Sequence, residues 1–471
     1  MHGMFGSNGR KITVSSHTAT PHAILPVAAD SDIIHLDVLG DSIIVLNSLN
    51  VITELFDKRG AIYSDRRQSV MLSELMGWGH NLVFAPYGDR WRAARKIFHQ
   101  EFNSQAVRQY DSRLEQATLD LLRRLSYSPD EWYHHLRHQA ASTMLGIAYG
   151  FDVAAENDPH IDIAEKATAS MAIVGVPGAF LVDVLPFLKY VPAWVPGAQF
   201  QVKAAEWKKL QHAMVNDTYA DFKQGAARGS EKSLESYCAQ QLAKLDPSRN
   251  NEYEEQVIRE TASVIFAAGA DTTVSTLATF VLAMLQHPHV QAAAQSELAR
   301  VLGAGAAPTL SDEAALPYLA AVMKECLRWE PVAPIGVPHR LLADDVYGEY
   351  HLPRGAIVIP NTWAIMHDET LYPDPFAFRP ERFLTADGQL DTAVVDPETL
   401  AFGFGRRICP GRFMARASML LTMGSILATF TIEKKRDMRG VPIEPAGTYT
   451  SGALRYPEPF ECAFTRRHAE V

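Results

Sequence analysis

The sequence predicts a mainly α chain with small β-sheets, on three observations. From about Gly88 to Tyr149 apolar residues recur at helical spacing with few strand signals. Residues from about 252 to 286 form the longest uninterrupted helical pattern, stopped at Gln286-His287-Pro288. Strand texture is clearest between Ile33 and Leu46, which reads as two apolar strands joined by a turn at Gly40-Asp41. With 471 residues, 47% of them apolar, the chain can bury a large core. No Gly/Ser or Pro-rich linker divides it, so residues 31–471 are expected to form one domain. A net charge of −10 and a pI near 5.9 argue against nucleic acid as a partner. The four cysteines, Cys238, Cys326, Cys409 and Cys462, form no C-x-x-C pair. That indicates neither a disulfide framework nor a zinc module and fits a reducing compartment.

Taken in order, residues 1–30 are rich in Ser, Thr, His, Pro and Ala, show no clear period, and are read as poorly ordered. They hold no 18-residue apolar run, so no membrane anchor or signal peptide is expected there. Leu49, Ile52, Leu55 and Phe56 fall at helical spacing after Asn47-Ser48, with Gly60 as the stop. Trp91 and Arg95 share one helix face, as do His134 and His138. The two histidines lack a Glu base or a third nearby ligand and are read as part of a solvated helix. Met171 to Gly197 is strongly apolar, but Pro177, Pro186, Pro192 and Pro196 exclude a membrane span. It reads as two helix ends around a greasy loop containing Phe180, Leu181, Phe187, Trp194 and Val195. Core packing and a substrate-entry or membrane-dipping surface are both open for it.

Inside the long helical pattern sits Ala268-Gly269-Ala270-Asp271-Thr272-Thr273. Glycine in mid-helix costs about 1 kcal/mol relative to alanine, and a local rule broken in a central helix points to a site. Ala268 and Gly269 leave room for something to press against the backbone. The Thr272 hydroxyl can reach back to the Ala268 carbonyl and bend the helix. A close helix crossing through small residues is the plainer reading. Glu325 and Arg328 form an i, i+3 pair, which alone is weak: Glu297 and Arg300 share that spacing and are given no special role. Pro331 to Arg340 carries enough Pro and Gly to stay extended and line a cavity.

Phe402-Gly403-Phe404-Gly405-Arg406-Arg407-Ile408-Cys409-Pro410-Gly411 precedes an apolar helical run. Pro410 suits that helix's first position, which would put Cys409 at the positive end of a helix dipole and favour the thiolate. Gly405 and Gly411 allow close backbone approach to the sulfur. A lone thiolate of this kind suits one axial bond to a haem iron better than a zinc or iron–sulfur site. The stretch resembles the ligand loop of the cytochrome P-450 superfamily, Phe-x-x-Gly-x-Arg-x-Cys-x-Gly. Phe402, Gly405, Arg407, Cys409 and Gly411 match every fixed position. Chance gives such a match in a chain this long on the order of 10⁻⁴ of the time. Ala268 to Thr273 resembles the family's oxygen-activation motif, and Phe378-Arg379-Pro380-Glu381-Arg382-Phe383 its second structural signature.

The resemblance covers about residues 31–471 and implies the P-450 fold, mainly α with small β-sheets, as a single domain enclosing haem b. It implies Cys409 as axial ligand, with Trp91, Arg95, His339 and Arg407 at the propionates. Asp271 and Thr272 become an acid–alcohol pair for proton delivery. Glu325, Arg328 and Arg382 become a buried cluster pinning the loop that presents the cysteine. Phe266, Ala268, Val332, Ala333, Ile335 and Val337 are expected to line the pocket, with the turn Tyr449-Thr450-Ser451-Gly452 reaching back into it. These segments offer no Lys, Arg or Glu, so the expected substrate is a neutral, apolar terpenoid, polyketide or aromatic. The implied reaction inserts one oxygen atom of O2, with electrons from NADPH through a separate, acidic flavoprotein reductase on the proximal face. There Arg406, Arg412, Arg416 and Lys96 cluster. Fungal microsomal members imply the cytosolic face of the endoplasmic reticulum, peripheral membrane contact and a monomer. A haem-thiolate isomerase, dehydratase or peroxide-driven enzyme, and a non-catalytic haem-binding protein, are the alternatives.

Overall fold

A computed structural model of the chain describes residues 31–38, 40–175 and 178–468; residues 1–30, expected to be poorly ordered, and Pro177 lie outside them. The hairpin expected near the start forms as β1 (Ile33–Val38) antiparallel to β2 (Asp41–Leu46). Gly40 turns it at φ +89°, where a side chain would be strained. Further on come β3 (His339–Arg340), β4 (Asp345–Tyr347), β5 (Tyr350–Leu352) and β6 (Ile357–Pro360). β2 pairs in parallel with β6, giving a four-stranded sheet of order β1-β2-β6-β3. Parallel pairing needs a crossover connection, and here the helical body supplies it. β4 with β5, and β7 (Phe430–Lys434) with β8 (Cys462–Arg466), form separate two-stranded sheets.

The Leu49–Phe56 pattern becomes a short α-helix, Leu49–Ile52, capped by the Ser48 hydroxyl, that widens into a π-helical stretch, Thr53–Lys58. The central helix runs from Glu252 to Gln286, 35 residues, or roughly 50 Å. By length and apolarity it could cross a membrane, but 67% of its most apolar window is buried inside the protein. It is the spine of the core. Its first half (Ile258 to Phe266) packs into one apolar cluster and its second half (Val274 to Leu285) into another. Between them, residues 267–272 are only partly buried, and Ala268 is exposed. The core is interrupted where the sequence breaks the helix rule. The Met171–Gly197 region consists of the end of the helix Pro159–Val174, two 3₁₀ turns and the approach to the helix Gln199–His212.

Candidate active site

A single helical turn, Glu398–Ala401, leads into Phe402–Gly411, and the helix Arg412–Thr429 follows. The loop closes on itself through the Cys409 amide, which donates to the Phe402 carbonyl at 2.7 Å. Gly405 sits at φ +55°, and a Cβ there would strike the Phe56 carbonyl oxygen. Its amide donates to Asp57 Oδ1 at 2.7 Å, so the loop docks on the π-helical stretch and only glycine fits. Pro410 does not occupy the first helical position as expected. The helix begins later, at Arg412, and the Gly411 and Arg412 amides turn back to the Cys409 sulfur. The predicted thiolate bias is also corrected. Burial pushes the Cys409 thiol up, and those amides, Arg95 and Arg412 offset this only in part. The protein alone favours the thiol, and a bound metal's own charge would reverse that.

Trp91 and Arg95 project from the helix Asp89–Phe102. Trp91 is buried, and its indole Nε1 has no hydrogen-bond partner among the described residues. Arg95 is half-buried, forms no ion pair among the described residues, and lies close enough to Cys409 for each to shift the other's ionisation. An orphaned N–H and an unpaired guanidinium beside the sulfur cost free energy unless an acceptor arrives. That donor set fits a haem with its propionates. Arg407 lies 4.4 Å from the Trp91 ring centre, but its donors are taken by the carbonyls of Ser64, Leu82 and Ala85 at 2.7, 3.1 and 2.8 Å. Burial pushes its pKa down to about 10. Here Arg407 ties the loop to neighbouring backbone.

His339 is buried, stacks on Phe56 with ring centres 4.3 Å apart, and donates Nδ1–H to the Tyr63 carbonyl at 2.6 Å. Burial holds it well below its ordinary pKa, with Arg66 adding to the effect. His339 is therefore neutral with Nε2 unprotonated, so a contact to a carboxylate would require it to gain a proton. Arg66 is the member that sequence reasoning missed. Its guanidinium is buried and donates to the carbonyls of Val83, Val337 and Pro338 at 3.0, 2.6 and 2.9 Å. Within Asp65-Arg66-Arg67 it reads as surface charge, and no motif marks it.

On the central helix, Thr272 Oγ1 donates to the Ala268 carbonyl at 2.8 Å. Gly269 serves the plainer purpose: a Cβ there would collide with the Met144 sulfur on the helix Trp132–Tyr149. Asp271 turns to a different side from Thr272. Its Oδ1 is 3.4 Å from Arg137, which Glu165 also holds at 2.9 Å. Burial raises the Asp271 carboxyl, with Arg137 and Thr168 pulling the other way. Phe266 goes with it. Expected in the pocket, it is buried in the core and helps line a small cavity with Asp271, Arg137 and Glu165. At 100° per residue it lies about 200° around the helix from Ala268. The acid and the alcohol are not brought together in this conformation.

Val332, Ala333, Ile335 and Val337 are half-buried in the extended segment before β3. The Val332 carbonyl accepts from the Arg455 amide at 2.9 Å, and the Ser275 hydroxyl donates to the Arg455 carbonyl at 2.5 Å. Tyr449 OH meets Thr279 Oγ1 at 3.2 Å. The C-terminal turn thus joins this segment to the central helix, just past Thr272. Glu325 holds Arg328 at 2.7 Å and Arg382 at 3.2 Å with the pairs almost fully buried. Both arginines also donate to the Ala377 carbonyl, Arg328 to those of Met366 and Pro375, and Arg382 to that of Pro373. This cluster fixes the segment around residues 366–382; its neighbour Lys324 donates to Asp396 and Glu398, ahead of the cysteine loop. Glu297 is not idle: its carboxylate accepts from the Tyr318 and Leu319 amides at 2.9 Å and caps the helix Pro317–Trp329. His138 Nε2 donates to the Ala154 carbonyl at 2.9 Å, with the Arg124 guanidinium 3.4 Å away, and makes no hydrogen bond to His134 among the described residues.

The family model described as Cytochrome P450 matches residues 29–463. A tryptamine 4-monooxygenase of Psilocybe cyanescens is 43% identical over 442 residues, 94% of this chain and 87% of its own. Cytochrome P450 monooxygenase 98 of Postia placenta is 45% identical over 439 residues, 93% of this chain and 84% of its own. A zebra fish cytochrome P450, solved with abiraterone, shares the fold with a TM-score of 0.73 at 22% identity, covering 94% of this chain and 98% of its own. On the matched residues and these relatives, the chain belongs to the cytochrome P450 family of haem-thiolate monooxygenases.

Proposed function

We propose that this monooxygenase inserts one oxygen atom of O2 into a neutral, apolar small molecule: a terpenoid, polyketide or aromatic. One observation carries the choice. Asp271 is the only acid in the segments assigned to the pocket, and Arg137 already engages it at 3.4 Å. A cationic substrate would enter without a partner, at a cost of several kcal/mol. The relative named for tryptamine supports an aromatic scaffold and makes the amine a useful contrast.

Haem b, when bound, supplies the iron at which oxygen is activated, and thiolate ligation favours O–O cleavage, as is general for this family. Cys409 is assigned as that ligand, its sulfur held by the Gly411 and Arg412 amides. Trp91 Nε1 and Arg95 are assigned to the propionates. Thr272 can accept a hydrogen bond from water while its own proton is held by Ala268. Asp271, its carboxyl raised by burial, can carry a proton once it leaves Arg137. A spectral titration of the ferric protein with neutral terpenoids, polyketides and aromatics, and with tryptamine, tests the substrate class. Displacement of iron-bound water by the neutral compounds is expected; tight, shift-inducing binding confined to charged ligands would overturn it.

Electrons are assigned to NADPH through a separate acidic flavoprotein docking near Lys96, Arg406 and Arg412. Arg416 leaves that set because Glu313 and Glu398 hold it at 2.5 and 3.2 Å. Peripheral contact of a monomer with the cytosolic face of the endoplasmic reticulum is assigned to exposed Leu181, Phe187, Tyr190 and Trp194, the last 82% exposed. Turnover at limiting reductase should fall as salt rises, and vesicle binding should be lost with Tyr190→Ala and Trp194→Ala together. Salt-independent turnover, or undiminished vesicle binding, would move the corresponding surface elsewhere.

A further inference from the structure

Outside the haem site, three groups able to ligate a metal converge where the helix Trp132–Tyr149 begins. Glu131 ends the 3₁₀ turn Pro129–Glu131, and His134 and His135 follow three and four residues later, in the first turn of the helix. On a helical path those spacings put side chains side by side. One ligand atom of Glu131, one of His134 and one of His135 all lie within 4.8 Å of one another. The sequence paired His134 with His138 and offered no third ligand. In the structure His138 turns to the Ala154 carbonyl, and His134 is joined by His135 and Glu131 instead.

The fold makes no use of these three lone pairs. The Glu131 carboxylate and the His134 ring form no hydrogen bond or ion pair among the described residues. His135 is buried, 3% exposed, and its Nε2 lies 2.9 Å from the Ser128 carbonyl and 2.8 Å from the Ser128 hydroxyl. A carbonyl only accepts, so Nε2 carries the ring proton and Nδ1 keeps the lone pair. That Nδ1 is buried and without a partner among the described residues, which costs free energy until a donor or a cation meets it. A metal-ligating histidine commonly donates its other N–H to a backbone carbonyl, which fixes ring and tautomer. Ser128 supplies that hold in advance. Burial keeps the His135 pKa below its ordinary value, so the ring is neutral at pH 7 and sheds no proton on ligation. Arg124 is the cation that opposes the site, and its guanidinium is engaged by the Ala155 carbonyl at 3.1 Å and by His138.

The geometry points to a second metal site, for one divalent transition ion such as Zn²⁺, on the Glu131 carboxylate, the His134 ring and His135 Nδ1. Two imidazoles and one carboxylate suit Zn²⁺, Cu²⁺ or Ni²⁺, whereas Mg²⁺ and Ca²⁺ take all-oxygen ligand sets. Three protein ligands leave one coordination position to water. An ion there joins the 3₁₀ turn to the helix that follows it. The site lies roughly 15 Å along that helix from Met144, the residue that packs against Gly269, and so is separate from the haem.

The test titrates untagged holoenzyme, first freed of loosely held metal with a chelator, with ZnCl₂ in a calorimeter. The tightest class of sites should hold one equivalent and keep it in excess Mg²⁺. Glu131→Gln and His134→Ala, both at exposed positions, should each weaken that binding about tenfold or more while leaving the haem spectrum parental. His138→Ala should not change it. The buried His135 is read without mutation: X-ray absorption at the zinc edge of the loaded protein should count two imidazoles. No saturable equivalent, displacement by Mg²⁺, or parental affinity in either Glu131→Gln or His134→Ala overturns the site. A single imidazole at the zinc removes His135 and overturns it equally. Weakening by His138→Ala would put the ion on the His134–His138 pair, which also contradicts the assignment.

Discussion

At the scale of single residues, Thr272 and Asp271 divide the work that their adjacency suggests they share. Thr272 is tied to the Ala268 carbonyl beside the opening in the core, while Asp271 is drawn to Arg137 and Glu165. Thr272→Ala should therefore leave haem content and substrate affinity intact. Product per NADPH should fall by roughly one to two orders of magnitude, toward the low end of what a positioned proton donor contributes, with peroxide rising in its place. Unchanged product yield would make Thr272 a packing residue only. Cys409, Gly405 and Thr272 were legible because their chemistry is local: neighbours within a few residues determine it. The Asp271 carboxylate was not. Its partners lie on the helices Trp132–Tyr149 and Pro159–Val174, and no spacing announces a contact across so much sequence. The same holds for His339, whose proton is placed by the Tyr63 carbonyl, and for Arg66, whose burial depends on three backbone carbonyls met only in the fold.

Between elements, the end of the Pro317–Trp329 helix meets the C-terminal turn through Glu330 and Arg455, 3.0 Å apart, with Arg455 also 5.0 Å from the Tyr449 ring centre. Burial outweighs the pull of Arg455 and raises the Glu330 carboxyl from 4.5 to about 7. An acid whose pKa is higher in the folded state contributes stability that is whole below its unfolded value, here 4.5, and is lost as pH rises through about 7. Glu330→Gln removes that titration. Between pH 5 and pH 8 the parental protein should lose stability relative to the variant, by about 3 kcal/mol at most. Urea midpoints at the two pH values decide it, and parallel slopes would contradict the assignment. Of the elements themselves, the hairpin and the central helix were plain in the sequence, since apolar period and turn residues suffice to specify them. The π-helical widening at Thr53–Lys58 and the Glu297 cap were not. Both answer to packing partners, the docked Gly405 loop in one case and a neighbouring helix start in the other.

For the whole molecule, the parallel pairing of β2 with β6 brings the start of the chain against the segment that follows His339. Phe56, Tyr63, Arg66, His339 and Gly405 meet there because of it. A parallel partner some 300 residues away leaves no trace in local pattern, so this closure was hidden even though both strands read as apolar. What was legible at this scale came from the ordered set of motifs, and the structure adds how they converge: a cysteine loop docked on a π-turn, Arg95 and the Trp91 N–H without partners among the described residues, and a central helix opened at Ala268. All of these serve one claim, that Cys409 ligates the iron from a loop the rest of the chain holds in place. The most direct test is the spectrum of the reduced, carbon-monoxide-bound protein. The parental chain should show the strongly red-shifted Soret band of thiolate-ligated haem, and Cys409→Ala should abolish it; a parental-like band in that variant would contradict the account.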